Sequence, residues 1–451
     1  MNTKFSEYFR ENFFPDESDL NVFLNSLSKN LTKTLRVNTN KISVPDLKKR
    51  LEKQNYILKP TFQPNVFYVD RTADFDEYER RLGFTLEHLL GYFYIQELGA
   101  SSSVHYLSEG KIDKSEYLIL DMASSPGWKT TQLSEHYPNS FIVANEFDRN
   151  RTAQLICNVE RMGSDNIWIC NYNWQFIGRL TETFDRVLLD APCSGEWIGF
   201  KSIEALKFWN LKNVKKIADL QKKLFESWLN SLKVWWEMLY STCTMNKLEN
   251  EWVVAWILEK HPDSFEIVFE KRFWPHVDET WGFFVCRIRK LKPIDYKFTD
   301  KEELPNRGIE RLSKSEQKTF EDFLTYSGAD VSDHEIFRYS NEVLAVKKSD
   351  ALKEVSKRLY FFRLWKKIGK IDKNSFEPSY YFGRDFEMPK LEKYQIDSQE
   401  ELDRYLRWME IWIEVPKWLK RIVYDDIVIW IWDVGENGTI KNYFPKIWMR
   451  K

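Results

Sequence analysis

The sequence is poor in glycine, cysteine and histidine. Glycine contributes 16 of 451 residues, about 3.5% against the roughly 7% of ordinary proteins, whereas tryptophan contributes 19. The five cysteines are odd in number and form no C-x-x-C pair, which argues against a disulfide framework or a zinc ribbon. The six histidines show no H-x-x-x-H spacing, so we expect no metal site.

The chain also lacks net charge and long apolar runs. Its formal net charge is −1 with 30% charged residues, so a nucleic-acid binder would have to use local basic patches. No apolar run approaches the roughly 18 residues that span a bilayer. The start, MNTKFSEYFRENFF, lacks the basic-then-apolar order of a signal peptide. We therefore expect a cytoplasmic protein, and the length suffices for about two or three domains.

Two short segments nevertheless concentrate positive charge. The first is CRIRKLKP, with Arg287, Arg289, Lys290 and Lys292. The second is KRLYFFRLWKKIGK, which interleaves Lys357, Arg358, Arg363, Lys366 and Lys367 with Tyr360, Phe361 and Phe362. Each segment is either an RNA-contacting patch or a solvated helix face, and the sequence leaves both interpretations open.

From Tyr117 onward, short apolar runs alternate with helical patterns. The runs are YLILDM, FIVANE, NIWICNY and FDRVLLD. This alternation predicts a parallel sheet with helices on both faces, and such sheets bind ligands at the carboxyl ends of their strands. A long amphipathic helical stretch over 203–232 leads to a further strand in EMLYSTCT, and WGFFVCRIRK is predicted to close the sheet. A charged, proline-bearing linker is predicted over 292–306.

A turn of small residues follows the first predicted strand. It runs from Asp121 through Met122, Ala123, Ser124, Ser125 and Pro126 to Gly127, and Glu146 ends the next strand. Such a turn lets backbone N–H groups approach a ligand, and an acid after the second strand can bind ribose hydroxyls. The pattern suits a nucleoside cofactor, with an ordinary tight turn as the alternative. A P-loop is disfavoured because G-x-x-x-x-G-K-[ST] is absent.

Two cysteines follow neighbouring predicted strands. Asp190 and Cys193 come after FDRVLLD, and Cys243 comes at the end of YSTCT. In a parallel sheet both thiols would lie at one edge, near the cofactor turn and Lys129. Thiolates are strong nucleophiles once a nearby cation or base lowers their pKa, so this cluster predicts nucleophilic catalysis. The other cysteines are interpreted as small buried hydrophobes: Cys157, Cys170 and Cys286.

The motif series extends over nearly the whole chain. It comprises LRVNTN, GYFYIQELGASS, DMASSPGWKTTQ, ANEFDRNR, DAPCSGE, YSTCT followed by LENE, and GFFVCRIRK. The series resembles that of the Sun/Fmu-type RNA cytosine-C5 methyltransferases, most like the 16S ribosomal RNA methyltransferase F type. The closing GTIKNYFPK resembles that type's PUA-like RNA-binding end.

The resemblance implies an α/β fold with a Rossmann-like class I methyltransferase core built on a mostly parallel seven-stranded sheet. An α+β N-terminal domain and a C-terminal β-rich PUA-like RNA-binding region would flank this core. The implied domains are an N-terminal RNA-binding domain over 1–84, an S-adenosylmethionine-dependent core over 85–292, an intermediate domain over 305–385 and the PUA-like domain over 386–451.

The resemblance also implies a role for each motif residue. Cys243 would attack C6 of cytosine, Asp190 would protonate N3, and Cys193 would help remove the C5 proton. Lys129 would favour the Cys243 thiolate. Asn173 stands where the family usually has an aspartate near the adenine, and it brings a hydrogen bond without charge. The implied cofactor-binding residues are Ala123, Ser124, Ser125, Pro126, Gly127, Trp128, Lys129, Glu146, Asn173 and Asp190.

The implied function is synthesis of 5-methylcytosine in small-subunit (16S) ribosomal RNA through a covalent cysteine–cytosine adduct. S-adenosyl-L-methionine would be the cofactor and RNA or the small ribosomal subunit the partner, with a monomeric protein and no membrane or metal. The alternatives are a transfer RNA cytosine-C5 methyltransferase and a non-catalytic RNA-binding assembly factor. DNA cytosine methyltransferases use the PC cysteine as nucleophile, so the additional TC cysteine favours RNA.

Several tryptophans stand where the family has glycine or another small residue: Trp128, Trp197, Trp235, Trp236, Trp281, Trp430 and Trp432. The pair Trp235–Trp236 falls where a helix passes into a strand, a turn that normally uses glycine. We hypothesise that the source reads UGA codons as glycine and that this sequence was translated with UGA as tryptophan. A chain made as written is then predicted to bind its cofactor weakly and to have poor stability. The alternative is that these tryptophans are genuine and that the turns adapt to them.

Overall fold

The computed structural model describes residues 2–29, 31–71, 82–196, 203–297, 309–355, 357–359, 361, 363, 366–372, 374–407, 419–425, 427–434 and 440–441. The chain forms two compact units. The first comprises Met1–Glu77, Gly91–Leu304 and Lys357–Arg363, and the second comprises Tyr78–Leu90, Pro305–Ser356 and Leu364–Lys451. The finer division into four domains stays a prediction.

The N-terminal part of the chain contains short helices and a small antiparallel sheet. Its helices are α1 (Thr3–Asn12), α2 (Glu17–Ser26), α3 (Val44–Glu52) and α4 (Leu86–Leu89), and a 3₁₀ helix covers Leu82–Phe84. Its strands are β1 (Thr34–Val37), β2 (Tyr56–Pro60), β3 (Val66–Arg71) and β4 (Phe93–Ile95), in the order β2-β3-β1-β4. Helices α1, α2 and α3 begin at capping side chains, those of Asn2, Asp16 and Ser43, because each oxygen accepts a backbone N–H that the first turn leaves free.

The central sheet of the first unit contains seven strands within the described residues. They are β5 (Leu118–Asp121), β6 (Phe141–Asn145), β7 (Ile167–Cys170), β8 (Phe184–Asp190), β9 (Leu232–Thr242), β10 (Phe265–Phe273) and β11 (Phe283–Lys290), in the order β10-β11-β9-β8-β5-β6-β7. Strands β5 to β9 pair in parallel, and β10 and β11 pair antiparallel. The predicted, mostly parallel seven-stranded sheet is confirmed.

The helices of this unit alternate with the strands. They are α5 (Leu98–Leu107), α6 (Trp128–His136), α7 (Arg149–Met162), α8 (Trp174–Ile177), α9 (Leu211–Ser231), α10 (Glu251–Lys260) and α11 (Pro275–Asp278). Strands β5, β6 and β7 are buried at every position, because a parallel sheet is covered on both faces. Their side chains pack with α5 and α7 around Ile119, Ile142 and Leu155.

Two local predictions were wrong. The stretch 203–232 is not one helix, because a 3₁₀ helix ends at Phe208 and Asn210 caps the N-terminus of α9. The strand of WGFFVCRIRK does not close the sheet. It lies between β9 and β10, and β10 is the edge strand, with charged residues at positions exposed to solvent.

The second unit is rich in strands, both in the C-terminal region for which β structure is predicted and in the part that precedes it. One sheet contains β12 (Ile309–Glu310), β13 (His334–Tyr339), β14 (Glu342–Lys347), β15 (Lys366–Ile371) and β16 (Phe376–Pro378), and another contains β17 (Lys393–Gln395), β18 (Lys420–Tyr424), β19 (Ile427–Val434) and β20 (Ile440–Lys441). Its remaining helices are α12 (Lys314–Ser327), α13 (Asp350–Val355), α14 (Tyr380–Asp385) and α15 (Gln399–Leu406). Most of GTIKNYFPK lies outside the described residues, so the PUA-like assignment stays a prediction.

Across the described ranges, no helix has both the length and the apolar character needed to cross a membrane. The same residues contain no group of three or more His, Cys, Asp or Glu side chains that could hold a metal ion.

The two adjacent tryptophans in β9 differ in backbone conformation. Trp235 has a left-handed φ of 71° and is 69% exposed, and it lies where the register between β8 and β9 shifts. The ring of Trp236 packs against Tyr117 at 5.3 Å, and Arg186 lies 5.7 Å above it. Among the described tryptophans, only Trp235 has the positive φ that favours glycine, and Trp197 lies outside the described residues.

We expect Trp235→Gly to raise the melting temperature of the protein. Glycine adopts left-handed backbone without the steric penalty of a side chain, which is roughly 1 kcal/mol, and the exposed indole contributes little packing. Trp236→Gly is the matched control and should lower the melting temperature, because it removes a half-buried ring. Calorimetric scans of both variants give the comparison, and an equal loss of stability in the two would contradict the prediction.

Candidate active site

A cavity of about 840 Å³ opens at the carboxyl ends of the central strands. The turn after β5, the end of β6, the loop after β8 and Cys243 after β9 all contribute to its lining. Its volume is in the range of sites for small molecules and cofactors. The cavity lies at the sheet edge where ligands bind in open α/β sheets, as the strand pattern predicts.

The turn between β5 and α6 is shaped by hydrogen bonds and a required glycine. The Ser124 hydroxyl donates to the Asp121 carbonyl at 2.7 Å, and the Ser124 N–H donates to the Asn145 carbonyl at 3.0 Å. Gly127 precedes α6 with a φ of 105°, and a Cβ there would lie 3.0 Å from Leu155. Ser124 and Gly127 therefore shape the turn. The residues of the turn that line the cavity are Ala123, Ser125, Pro126, Trp128 and Lys129.

Glu146 and Asn173 also line the cavity. The buried carboxylate of Glu146 accepts the backbone N–H of Ser125 at 3.3 Å and that of Asp148 at 2.9 Å. It thereby links the end of β6 to the turn after β5 and leaves lone pairs for ribose hydroxyls. The Asn173 side-chain oxygen accepts the Gln175 N–H at 3.0 Å and caps α8, a structural use that asparagine serves as well as aspartate.

Lys129 forms a buried ion pair with Asp190. Its ammonium group lies 2.7 Å from Asp190 Oδ2, and the Lys129 side chain is 3% exposed. Asp190 Oδ1 accepts the Ser241 hydroxyl at 3.0 Å. The ammonium group lies between the rings of Trp128 and Phe283, 5.3 and 5.2 Å from their centroids. The direct ionic partner of Lys129 is therefore Asp190, the carboxylate predicted to act on N3 of the cytosine.

The structure brings Cys193 and Cys243 together. Their sulfur atoms are 2.7 Å apart, and both residues are half-buried and line the cavity. The hydrogen bond with Cys243, followed by burial, raises the pKa of the Cys193 thiol well above its ordinary value.

Asp121, at the end of β5, lies behind this cluster. It is fully buried, and burial raises its pKa to about 7. The Thr130 hydroxyl donates to Asp121 Oδ2 at 2.6 Å, and the charges of Asp190 and Lys129 raise and lower this pKa respectively. The carboxyl group therefore belongs to the same electrostatic cluster as the Lys129–Asp190 pair.

Sequence reasoning missed Arg36, a buried cation that comes from β1. Its guanidinium group binds Glu135 with two hydrogen bonds of 2.8 and 2.9 Å and donates to the Trp128 carbonyl at 2.7 Å. It also donates to Gln96. The N-terminal sheet thus fixes the first turn of α6, which carries Lys129. The only sequence signal was the arginine of LRVNTN.

Sequence reasoning also missed two buried glutamates, Glu196 and Glu249, next to the two cysteine loops. They belong to the SGE and LENE segments of the motif series. Nothing in their local pattern distinguishes them from ordinary surface acids.

The first basic segment is not a solvated helix face, because most of it lies on strand β11, where its charges are paired. Contact of this segment with RNA stays a prediction. Lys290 is fully buried and donates to the Leu232 carbonyl at 2.7 Å. Arg287 pairs with Glu109 at 3.0 Å, and Arg289 pairs with Glu237 at 2.8 Å.

The second basic segment is also held by acids. In the first unit, Arg363 forms an ion pair with Glu160. In the second unit, Lys366 pairs with Asp385 at 3.1 Å, and Lys367 pairs with Glu342. Tyr360 and Phe362 lie outside the described residues.

Two of the remaining cysteines, Cys170 and Cys286, are buried as interpreted, and Cys157 is half-buried. Trp128 and Trp281 line the cavity, and the Trp281 N–H donates to Glu97 at 3.1 Å. The residue after Trp281, Gly282, has a left-handed backbone with a φ of 83°, the conformation that favours glycine.

Two families of known proteins match this chain. The family described as 16S rRNA methyltransferase RsmB/F matches residues 111–289, and the N-terminal domain of 16S rRNA methyltransferase RsmF matches residues 1–98. A ribosomal RNA small subunit methyltransferase F from Shewanella piezotolerans is 35% identical over 335 residues, and the match covers 68% of this chain and 69% of that protein. One from Vibrio atlanticus is 39% identical over 303 residues.

A solved structure of a methyltransferase homologue from Pyrococcus horikoshii is similar to this fold. The TM-score is 0.55 at 29% identity, over 64% of this chain and 96% of that one. This similarity confirms the predicted Rossmann-like class I methyltransferase core. The chain spans less than two thirds of the length of the Vibrio relative, since that match covers 63% of this chain and 63% of that protein.

Proposed function

Because this chain belongs to the RsmB/F family of 16S rRNA methyltransferases, we propose that it makes 5-methylcytosine in small-subunit ribosomal RNA. The observation that carries the proposal is the contact of Cys193 with Cys243 at 2.7 Å, beside the Lys129–Asp190 ion pair. A reaction that adds a thiolate to a pyrimidine and later removes a proton needs a nucleophile, an acid and a base at one point. This cluster supplies all three.

The residues that line the cavity suit S-adenosyl-L-methionine. The turn over 123–129 would hold its methionine portion, Glu146 its ribose and Asn173 its adenine. The bound cofactor would supply an electrophilic methyl group. The buried Glu146 carboxylate and the small residues of the turn fit the group, because a hydroxyl pair needs an acceptor and the backbone must approach closely.

Within the chain, Cys243 is the nucleophile. Its thiolate forms a bond to C6 of the cytosine, and the electrons of the C5–C6 double bond move toward C5 and the ring carbonyl system. Asp190 passes a proton from the Lys129 ammonium group, to which it is bound, to N3 as negative charge develops there. After methylation, Cys193 takes the C5 proton, the bond between Cys243 and C6 breaks, and the double bond re-forms. The target base must leave its stack to enter the cavity, which costs about a few kcal/mol.

The flanking parts of the chain are proposed to hold the RNA. These are the N-terminal domain over 1–84, the intermediate domain over 305–385 and the PUA-like domain over 386–451. RNA or the small ribosomal subunit is the proposed partner of a monomeric, cytoplasmic enzyme. Single-stranded or looped RNA is the expected target, since unstacked bases can be splayed out there.

The test incubates the purified protein and S-adenosylmethionine with deproteinised 16S RNA, small subunits and transfer RNA in parallel. We expect bisulfite sequencing to detect new 5-methylcytosine in 16S RNA or in the subunit. Methylation of transfer RNA alone would favour the transfer RNA alternative. RNA binding without methylation would favour a non-catalytic assembly factor. A Cys243→Ser preparation controls for contaminating enzymes.

A further inference from the structure

Glu249 connects the loops that carry the two cysteines. Its Oε2 accepts the backbone N–H of Ser194, the neighbour of Cys193, at 2.8 Å, and the Gln221 amide at 3.0 Å. Its Oε1 accepts the Asn246 amide at 2.8 Å, and its own backbone N–H donates to Asn246 Oδ1 at 2.9 Å. Asn246 lies three residues after Cys243. One side chain therefore bonds the segments that follow both thiols.

Glu196 makes the reciprocal connection. It belongs to the loop of Cys193, and its Oε2 accepts the backbone N–H of Met245 at 2.6 Å. Its Oε1 accepts the Asn246 amide at 2.9 Å and the Trp209 indole N–H at 3.0 Å. Glu196 and Glu249 are 1% and 0% exposed. The contacts of both carboxylates described here are to amide and indole N–H groups rather than to cations.

The surroundings of Glu249 keep its charge close to Cys193. Burial raises the pKa of Glu249 to about 7, and the charge of Glu196 adds to this effect. Other titratable groups near this end of the sheet include Glu196, the two thiols, Tyr240, Asp190 and Asp121. The charge of Asp190 is matched by Lys129, and burial raises the pKa of Asp121, like that of Glu249, to about 7. Glu249 is thus ionised above neutral pH. Its carboxylate accepts the backbone N–H of Ser194, the residue next to Cys193.

We propose that Glu249 is a positioning residue for the transfer reaction, which fixes the two cysteine loops to each other and places a negative charge on the Cys193 side of the pair. The biological meaning of this role rests on the proposed function, whereas the hydrogen bonds and charges that define it do not. The hydrogen bond with Cys243, burial, the charge of Cys243 and the charge of Glu249 all raise the pKa of Cys193. Cys193 therefore keeps its proton while Cys243 is free.

This arrangement gives the two thiols an order of action. When Cys243 bonds to C6, it loses both its negative charge and its place as hydrogen-bond partner of Cys193. Those two contributions to the raised pKa of Cys193 then vanish, and burial and Glu249 remain. Cys193 becomes easier to deprotonate only after the adduct has formed, and its proton then passes to solvent in the cavity that Cys193 lines. The resulting thiolate accepts the C5 proton at the stage at which a base is needed there.

The test measures the alkylation of each cysteine and needs neither RNA nor cofactor. The full-length protein, kept reduced, is treated with iodoacetamide from pH 6 to 9.5, and peptide mass spectrometry gives separate rates for Cys243 and Cys193. In the wild type, the ratio of the Cys243 rate to the Cys193 rate should rise as pH passes through about 7, because Glu249 ionises there. The pKa of Asp121 is also about 7, so the rise is assigned to Glu249 by its loss in Glu249→Gln, which leaves Asp121 unchanged. A ratio that stays constant over this range would overturn the proposal.

Glu249→Gln removes the charge with little change of shape. The rate ratio at pH 8 should fall roughly tenfold, because a buried unit charge that acts on the half-buried Cys193 thiol is lost. Glu259→Gln, an exposed position on α10, is the matched control and should leave the ratio unchanged. An unchanged ratio in a folded Glu249→Gln protein would contradict the proposal, with the melting temperature as the check on folding.

Glu249→Asp separates charge from reach. It keeps the charge but is too short for both sets of hydrogen bonds, so the rate ratio should stay within about twofold of the wild type while the methylation kcat falls with little change in KM. A collapsed ratio in Glu249→Asp would contradict the role of the charge. Because alkylation is independent of methyl transfer, a protein that never methylates RNA would refute the proposed function without affecting this result.

Discussion

Cys243→Ala is expected to abolish methyl transfer, with a loss of at least about 1,000-fold in kcat, because the variant has no nucleophile for C6 of the base. Binding of S-adenosylmethionine should persist, since the proposed cofactor residues lie on the turn over 123–129 and at Glu146. Transfer of a labelled methyl group to 16S RNA measures the first effect, and calorimetric titration of the cofactor measures the second.

Cys193→Ser should give a different defect. The adduct between Cys243 and the RNA forms, but its breakdown lacks a base, so a covalent protein–RNA complex should accumulate and survive denaturing electrophoresis. Cys157→Ser, at a half-buried cysteine outside the cluster, should behave as the wild type. Full activity of Cys243→Ala together with loss of activity in Cys193→Ala would reverse the assigned roles.

Arg36→Met is expected to destabilise the first unit by about 3–5 kcal/mol, because it leaves the buried carboxylate of Glu135 without its cation. Arg36 and Glu135 are 0% and 2% exposed in their side chains. Arg10→Met is the matched control, since the Arg10–Glu17 pair is 44% and 66% exposed and contributes at most about 1 kcal/mol. Urea denaturation of each variant gives the comparison.

The Arg36→Met deficit should depend on pH. Burial raises the pKa of Glu135 to about 7 although Arg36 lowers it. A carboxyl whose pKa is higher in the folded state binds more protons when folded, so the unfolding free energy falls as pH rises from about 4.5 to about 7. Without Arg36 this window extends upward, and the deficit should be larger at pH 8 than at pH 5. Equal deficits at both pH values would contradict this explanation. The double variant Arg36→Met/Glu135→Leu should regain part of the lost unfolding free energy, and no regain would also contradict it.

The strands that carry the site could be predicted because their apolar runs are short and continuous. YLILDM and FIVANE are such runs, and the resemblance added their order in the sheet. The edge strand β10 was missed because FEIVFEKRF places charged residues at several solvent-facing positions, so its pattern is that of a solvated segment. The break before α9 was missed because a single cap at Asn210 interrupts an otherwise continuous amphipathic pattern.

Asp190, Cys193 and Cys243 could also be predicted to lie together, because the carboxyl ends of parallel strands meet at one edge of the sheet. The supporting residues could not. Arg36 is 99 residues from Glu135 in sequence, and Ser194 is 55 residues from Glu249, so no local pattern relates them. The basic segment around Arg287 and Lys290 was misread for the same reason, since the acids and carbonyl groups that bind it lie on other elements.

The hypothesis of a reassigned codon stays a prediction. The backbone at Trp235 is the feature that favours it, whereas Trp236 packs as an ordinary half-buried aromatic residue. Peptide mass spectrometry of the natural protein at residue 235 tests the hypothesis, and finding tryptophan there would end it.

The bond from Arg36 to the Trp128 carbonyl joins parts of the chain that are 92 residues apart. Strand β1 and helix α6 therefore cannot be separated by deletion without loss of this contact. A fragment that starts at α5 keeps every motif of the catalytic cluster but leaves the Glu135 carboxylate and the first turn of α6 without the guanidinium group that holds them. Loss of activity in such a fragment would be evidence about scaffolding, and it would not identify β1 as an RNA-recognition element.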